Sequence, residues 1–111
     1  MAPRLTRHLV LETPQRVSDG AGGFTESWAA LGTLWAHLEA RTGRETSGAA
    51  MAVSLARYRV TLRAAPPGSS ARPVAGQRFR EGTRLFRILA VAEADADGRY
   101  LVADTEEEVI A

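Results

Sequence analysis

Residues Arg57-Tyr58-Arg59-Val60-Thr61-Leu62-Arg63 alternate without a break, with Tyr58, Val60 and Leu62 on one side of an extended chain and Arg57, Arg59, Thr61 and Arg63 on the other. A helix would scatter these apolar residues around its axis, so the segment is a strand with one side in a core and the other facing solvent or a partner. A strand needs neighbours, and the following residues supply them. Glu81-Gly82 separates Gln77–Arg80 from Thr83–Val91 in the manner of a tight hairpin, and Asp95-Ala96-Asp97-Gly98 turns the chain again into Arg99–Asp104. Two consecutive hairpins predict an antiparallel meander, and one this short must hide its edges.

The N-terminal half extends this pattern. His8-Leu9-Val10-Leu11 reads as a first strand, ended by Thr13-Pro14 because proline cannot donate to a ladder. Val17–Gly23 is turn chemistry, with Asp19-Gly20 and Gly22-Gly23 tolerating positive φ. Phe24–Trp28 is a candidate short strand. Leu34–Glu39 is a stronger one, placing Leu34, Ala36 and Leu38 on one face and Trp35, His37 and Glu39 on the other. Thr42 and Glu45 have capping-box spacing, which predicts a helix beginning near Gly43 with Gly48, Met51, Ala52 and Leu55 along one side. That stripe is thin, so the helix is expected to pack weakly or against a partner. Ala64–Gly76, with Pro66, Pro67 and Pro73, is a loop long enough to be either mobile or ordered by assembly. The expected fold is mainly β: a small antiparallel β-barrel or sandwich of five to six strands with one short α-helix.

Composition bounds the rest. With 111 residues and 45% hydrophobic content, the chain is expected to form a single domain over residues 1–111. At this size folding buries roughly 65% of the surface the unfolded chain exposes, enough for a core without staples. There is no cysteine, which excludes disulfides, thiolate zinc sites and thiol catalysis. Fourteen basic residues against thirteen acidic ones give +1 at pH 7, too weak a field for a dedicated duplex-DNA binder. Every basic residue is arginine, which suits bidentate recognition of carboxylate or phosphate, although their even scatter favours a plain coding bias. No stretch approaches the roughly 18 apolar residues of a membrane helix, and the start MAPRLTRHLVLETP carries no recognisable secretion signal. His8 and His37 lie far apart, and no GxSxG, HExxH or P-loop pattern is present. Neither enzymatic activity nor a cofactor is expected.

Several constellations invite a chemical reading. Glu93, Asp95, Asp97, Gly98 and Asp104 approach the spacing of a calcium loop, but position one is Glu, position twelve is the short Asp and both flanks read as strands. A solvated hairpin turn is the better description, and no metal site is expected. Gly20-x-Gly22-Gly23 lacks the following helix of a phosphate-cradling loop. Trp28 and Trp35 would serve as a stacking platform for single-stranded nucleic acid, or more commonly as core or interface aromatics. His37 and Glu39 on one strand face are too few ligands for a metal. Glu106-Glu107-Glu108 reads as a solvated end, or less commonly as a docking point for a basic partner surface, and Glu107→Ala is expected to be nearly silent.

The pieces in their order are more specific than any one of them. LTRHLVLETP, SDGAGGFTESW, LWAHLEARTGRE, ARYRVTLR, GQRFREGTRLFRILAV and DGRYLVAD together resemble the phage head-tail joining family of adaptor, stopper and head-closure proteins, including gene transfer agent homologues. The resemblance covers nearly the whole chain. It is carried by Asp19, Gly22, Gly23, Glu26 and Trp28, then Trp35, Ala36, Gly43 and Glu45, then Gly76, Arg78, Phe86 and Ile88. Ala64–Val74 departs from it, being longer and richer in Pro and Ser.

The resemblance implies a structural connector without catalytic residues, at the neck of a tailed phage or phage-derived particle, made in the bacterial cytoplasm. It implies a homo-oligomeric ring, hexameric or dodecameric, with a portal or adaptor ring on the head side and a tail terminator or tail proteins on the other. DNA would pass through the channel without sequence-specific binding, and no membrane is involved. The implied task is to join head to tail and help retain packaged DNA; the alternative is a small stand-alone nucleic-acid-binding β-barrel. A ring needs two different complementary faces on each protomer. The residues expected to contribute to them are Thr42, Arg44, Glu45 and Met51 of the predicted helix, with Arg57 and Arg59 of the arginine-lined strand.

Overall fold

The computed structural model describes residues 2–41 and 56–108. They form six strands: β1 (Arg7–Ser18), β2 (Phe24–Arg41), β3 (Ala56–Arg63), β4 (Arg78–Glu81), β5 (Arg84–Glu93) and β6 (Tyr100–Glu107). All neighbours pair antiparallel in the order β1-β2-β3-β6-β5-β4, and β1 pairs with β4 over Val10–Glu12, so the sheet closes into a barrel. Among the described residues there is no helix; the one expected from Thr42 onward lies outside them.

Alternation builds the interior. Leu9 and Leu11 of β1, Ala36 of β2, Val60 and Leu62 of β3, Phe79 of β4, Phe86 and Ile88 of β5, and Leu101 and Ala103 of β6 are all buried. Phe79 faces Phe86 across the β4–β5 pair, and Tyr58 meets the Phe86 ring edge-on at 5.4 Å between centroids. Thr105 takes a core position on β6 because its hydroxyl donates to the Tyr58 carbonyl at 3.0 Å, so no polar atom is buried without a partner there. Gly82 has φ of 61° at the first central position of the two-residue β4–β5 turn, where a side chain would be strained.

Four segments differ from the sequence expectation. Pro14 does not end the first strand: β1 runs on to Ser18, paired with Trp28 at Pro14. Beyond Glu12, β1 has a single neighbour among the described residues, so a proline nitrogen turned to the open side breaks no ladder bond. Phe24–Trp28 and Leu34–Glu39 are parts of one 18-residue strand, with Leu31 inserted as a bulge beside Gly32. Glu106 and Glu107 extend β6 beyond Asp104 as paired residues and are not a solvated end. The segment from Ala64 to Gly76 has no strand or helix, as expected, yet the chain itself orders it. Pro73 is fully buried, Ser69 and Arg72 bond back to Pro66 and Ser69, and the Gly76 N–H reaches the Ile88 carbonyl.

Candidate assembly interface

Two kinds of surface emerge from this topology. The first is an arm. β4 occupies the outer edge of β1 only at Val10–Glu12, and β3 occupies that of β2 only at Ala36–Arg41. Residues 13–18 and 24–30 therefore form a two-stranded ribbon that leaves the barrel. Its turn is fixed by Asp19, whose Oδ1 accepts the N–H groups of Ala21 and Gly23 at 2.8 and 3.0 Å, while Gly20 and Gly22 take positive φ. With no core beneath it, the arm leaves Phe24 62% and Val17 48% exposed. The Arg16 guanidinium lies 4.9 Å from the Phe24 ring centroid.

A clamp holds the root of the arm. Glu12 is almost fully buried, and its two carboxylate oxygens accept from Arg78 Nε at 2.7 Å and Arg80 Nε at 3.0 Å. The same Arg78 guanidinium sits 4.0 Å above the Trp28 ring. Burial alone would push the Glu12 carboxyl up, but the hydrogen bonds and charges of Arg78 and Arg80 outweigh it and hold the group below the usual carboxylate range.

The second surface is a belt of ion pairs on the barrel. Arg7 donates to Glu81 from Nε at 2.7 Å, and this bond holds the Glu81 carboxyl low and raises Arg7. Arg84 forks onto Glu107 at 2.7 and 3.1 Å, with its guanidinium carbon 4.9 Å from the Phe86 ring centroid and 5.5 Å from that of Tyr58; the bond to Glu107 raises Arg84 well above its ordinary value. Arg57 and Arg59 stand on the outward side of β3, flanked by Arg41 and Glu39 on β2 and by Glu106 and Asp104 on β6. Arg57 reaches Glu106 at 3.3 Å. Arg59 lines a cavity of about 160 Å³ together with Arg41, Leu89 and Asp104.

The structure thus brings Arg57 and Arg59 together on one face, as alternation requires. Thr42, Arg44, Glu45 and Met51 lie outside the described residues. Sequence reasoning missed the Glu12 clamp and the Arg84–Glu107 fork, because arginines that look scattered along the chain converge once the barrel closes. The alternation of Arg78 and Arg80 around Phe79 was the available signal. Each tryptophan is engaged with its own neighbour, Trp28 under Arg78 and Trp35 against His8 at 4.7 Å. The Asp95 carboxylate accepts from the N–H groups of Arg99 and Tyr100, as a hairpin turn requires. Among the described residues no group of three or more His, Asp or Glu side chains is placed to hold a metal ion.

A family model described as phage head completion protein matches residues 1–108. A solved chain from the virion of a native gene transfer agent particle is 49% identical, with a TM-score of 0.83, covering 99% of this chain and 100% of that one. The solution structure of protein SF1141 from Shigella flexneri 2a is 23% identical with a TM-score of 0.69, covering 97% and 96% of the two chains, and shows the fold alone. No curated protein matches.

Proposed function

This chain belongs to the phage head completion protein family, and from that premise we propose that it is a structural head-tail connector at the neck of a tailed phage or gene transfer agent particle. It joins a portal or adaptor ring to tail proteins, as a homo-oligomeric ring that helps retain packaged DNA. The observation that carries this reading is the likeness, at 49% identity over 99% of the chain, to a component of a gene transfer agent virion. The residues are compatible with it. A net charge of +1 lets DNA traverse a channel without adhering, and an arm without a core is material for contacts formed on assembly. The outward arginines Arg57 and Arg59, with Thr42, Arg44, Glu45 and Met51, are proposed to contribute to those contacts.

The isolated chain is expected to be monomeric or weakly associated at micromolar concentration and to form its ring on the particle. Light scattering across a concentration series tests this, and a tight ring without partners contradicts it. The role itself is tested by complementation. Extracts lacking this chain should accumulate heads and tails that join when purified protein is added, whereas particles complete without it overturn the reading. In the same assay Thr42→Ala with Glu45→Ala should impair joining and leave the far-UV circular dichroism of the β-sheet intact. Exposed Glu108, rather than Glu107 with its Arg84 fork, is the appropriate silent control.

A further inference from the structure

The arm has two open edges, and the hydrogen-bond phase along it determines what each offers. Asp19 N–H donates to the Gly23 carbonyl, so that pair is hydrogen-bonded. Alternation then makes Val17–Thr25 and Gln15–Ser27 bonded pairs, and turns the backbone groups of Ser18, Arg16 and Pro14 on β1, and of Phe24, Glu26 and Trp28 on β2, away from each other toward the two edges. The β1 edge carries Arg16 as its charged residue and the β2 edge carries Glu26. Pro14 has no N–H to offer, and from Glu12 inward β4 covers the β1 edge, so the free β1 window ends at residue 14.

We infer that the arm is the contact between neighbouring copies of this chain, the β2 edge of one copy adding as a strand to the β1 edge of the next. This rests on the connector reading above and names the surface that closes its ring. Two arms pointing the same way set β2 antiparallel to the neighbour's β1, which continues the ribbon as a meander. At equal height Glu26 faces the neighbour's Arg16 and Phe24 faces its Ser18, each pair exchanging two backbone hydrogen bonds. Trp28 faces Pro14, where one bond forms and the seam stops. The facing side chains are a carboxylate and a guanidinium, a favourable cross-strand pair, whereas two β2 edges meeting about Glu26 would oppose like charges. The contact is heterologous, as a closed ring requires.

Two strands span about 10 Å, while the molecule's thinnest extent is 23 Å, so neighbouring arms meet side by side only when the barrels fan outward from them. That places the arms on the inner side of the ring.

The chain has no native cysteine, so Arg16→Cys and Glu26→Cys, each the single cysteine of a full chain, report the seam directly. Particles completed with each variant alone, and with an equal mixture, are oxidised and examined for covalent dimers. The seam predicts dimers in the mixture and only background in either variant alone. Dimers in the Glu26→Cys sample alone mean that two β2 edges meet, and dimers in no sample mean that the arms do not touch; either result overturns the seam. Joined particles without a cross-link overturn the seam and leave the connector role standing, whereas particles that complete without the chain overturn the role. A second variant guards against a local effect of the cysteines. Glu26→Pro removes one outward N–H and breaks no bond inside the arm, so it should abolish particle joining with an unchanged melting temperature, while Glu26→Gln should retain most of it. Joining by Glu26→Pro at the wild-type level contradicts the inference.

Discussion

The barrel and the arm are built from the same two strands and differ in what lies beside them. Leu11 sits where β1 has β2 on one side and β4 on the other, and it is buried with Leu9 in a core that includes Phe79, Phe86 and Ile88. A few residues on, Gln15 and Val17 have a neighbour on one side and no apolar layer beneath, and both are exposed. A two-stranded ribbon is marginal in water, whereas a closed sheet around a core is self-sufficient. Both regions are paired strands, and tertiary burial is what separates them.

The largest way to break that contrast is to hollow the barrel. Phe86→Ala removes a fully buried ring that touches Tyr58 and faces Phe79, and should destabilise the fold by roughly 3–5 kcal/mol. Urea unfolding should show it, and a loss below about 1 kcal/mol would mean that the barrel does not depend on this core.

Next comes the clamp where the two regions join. Glu12→Ala leaves the largely buried Arg78 without its carboxylate and should cost about 3 kcal/mol. Its folded-state pKa lies below the ordinary value, so the stabilisation is complete above the usual carboxylate range and is lost as pH falls through the depressed value. Glu81, held low by Arg7, acts in the same direction. Unfolding free energy should therefore decline below about pH 4.5, and Glu12→Gln should flatten part of that decline. An unchanged acid slope in Glu12→Gln would contradict the clamp.

The smallest effect belongs to the arm's tip. Asp19→Ala removes the acceptor for the Ala21 and Gly23 N–H groups and should loosen the turn by about 1 kcal/mol, with the barrel's melting temperature unmoved. Chemical shifts confined to residues 13–30 are the expected signature, and changes spreading into β5 or β6 would show that arm and barrel are one cooperative unit.

Much of the barrel was legible because period two is a local property. Tyr58-Val60-Leu62 and the Glu81-Gly82 turn declared themselves within a few residues. What stayed hidden depended on distant neighbours. Whether Pro14 stops a strand depends on which side its nitrogen faces, set by the β1–β2 hydrogen-bond phase, and on whether that side is open, set by where β4 ends along β1. Glu12 is 66 and 68 positions from the arginines that allow its burial, so the sequence offered only a charged residue after an apolar run. From sequence the arm reads as a turn and a separate short strand because its exposed residues, Gln15, Val17, Thr25 and Ser27, have no apolar side to alternate with. Arg57 and Arg59 were recognised as outward-facing from alternation alone, while their neighbours Glu39 and Asp104 came into view with the strand register.

The division into a self-sufficient barrel and a partner-dependent arm is tested most directly by amide hydrogen exchange on the free chain and on the chain within completed particles. In the free chain the amides of Phe79, Phe86 and Leu101 should exchange slowly and those of Arg16, Ser18, Phe24 and Glu26 at close to unprotected rates. Within the particle those four arm amides should become protected while the barrel changes little. An arm as protected as the barrel in the free chain, or one that gains no protection in the particle, would contradict that division.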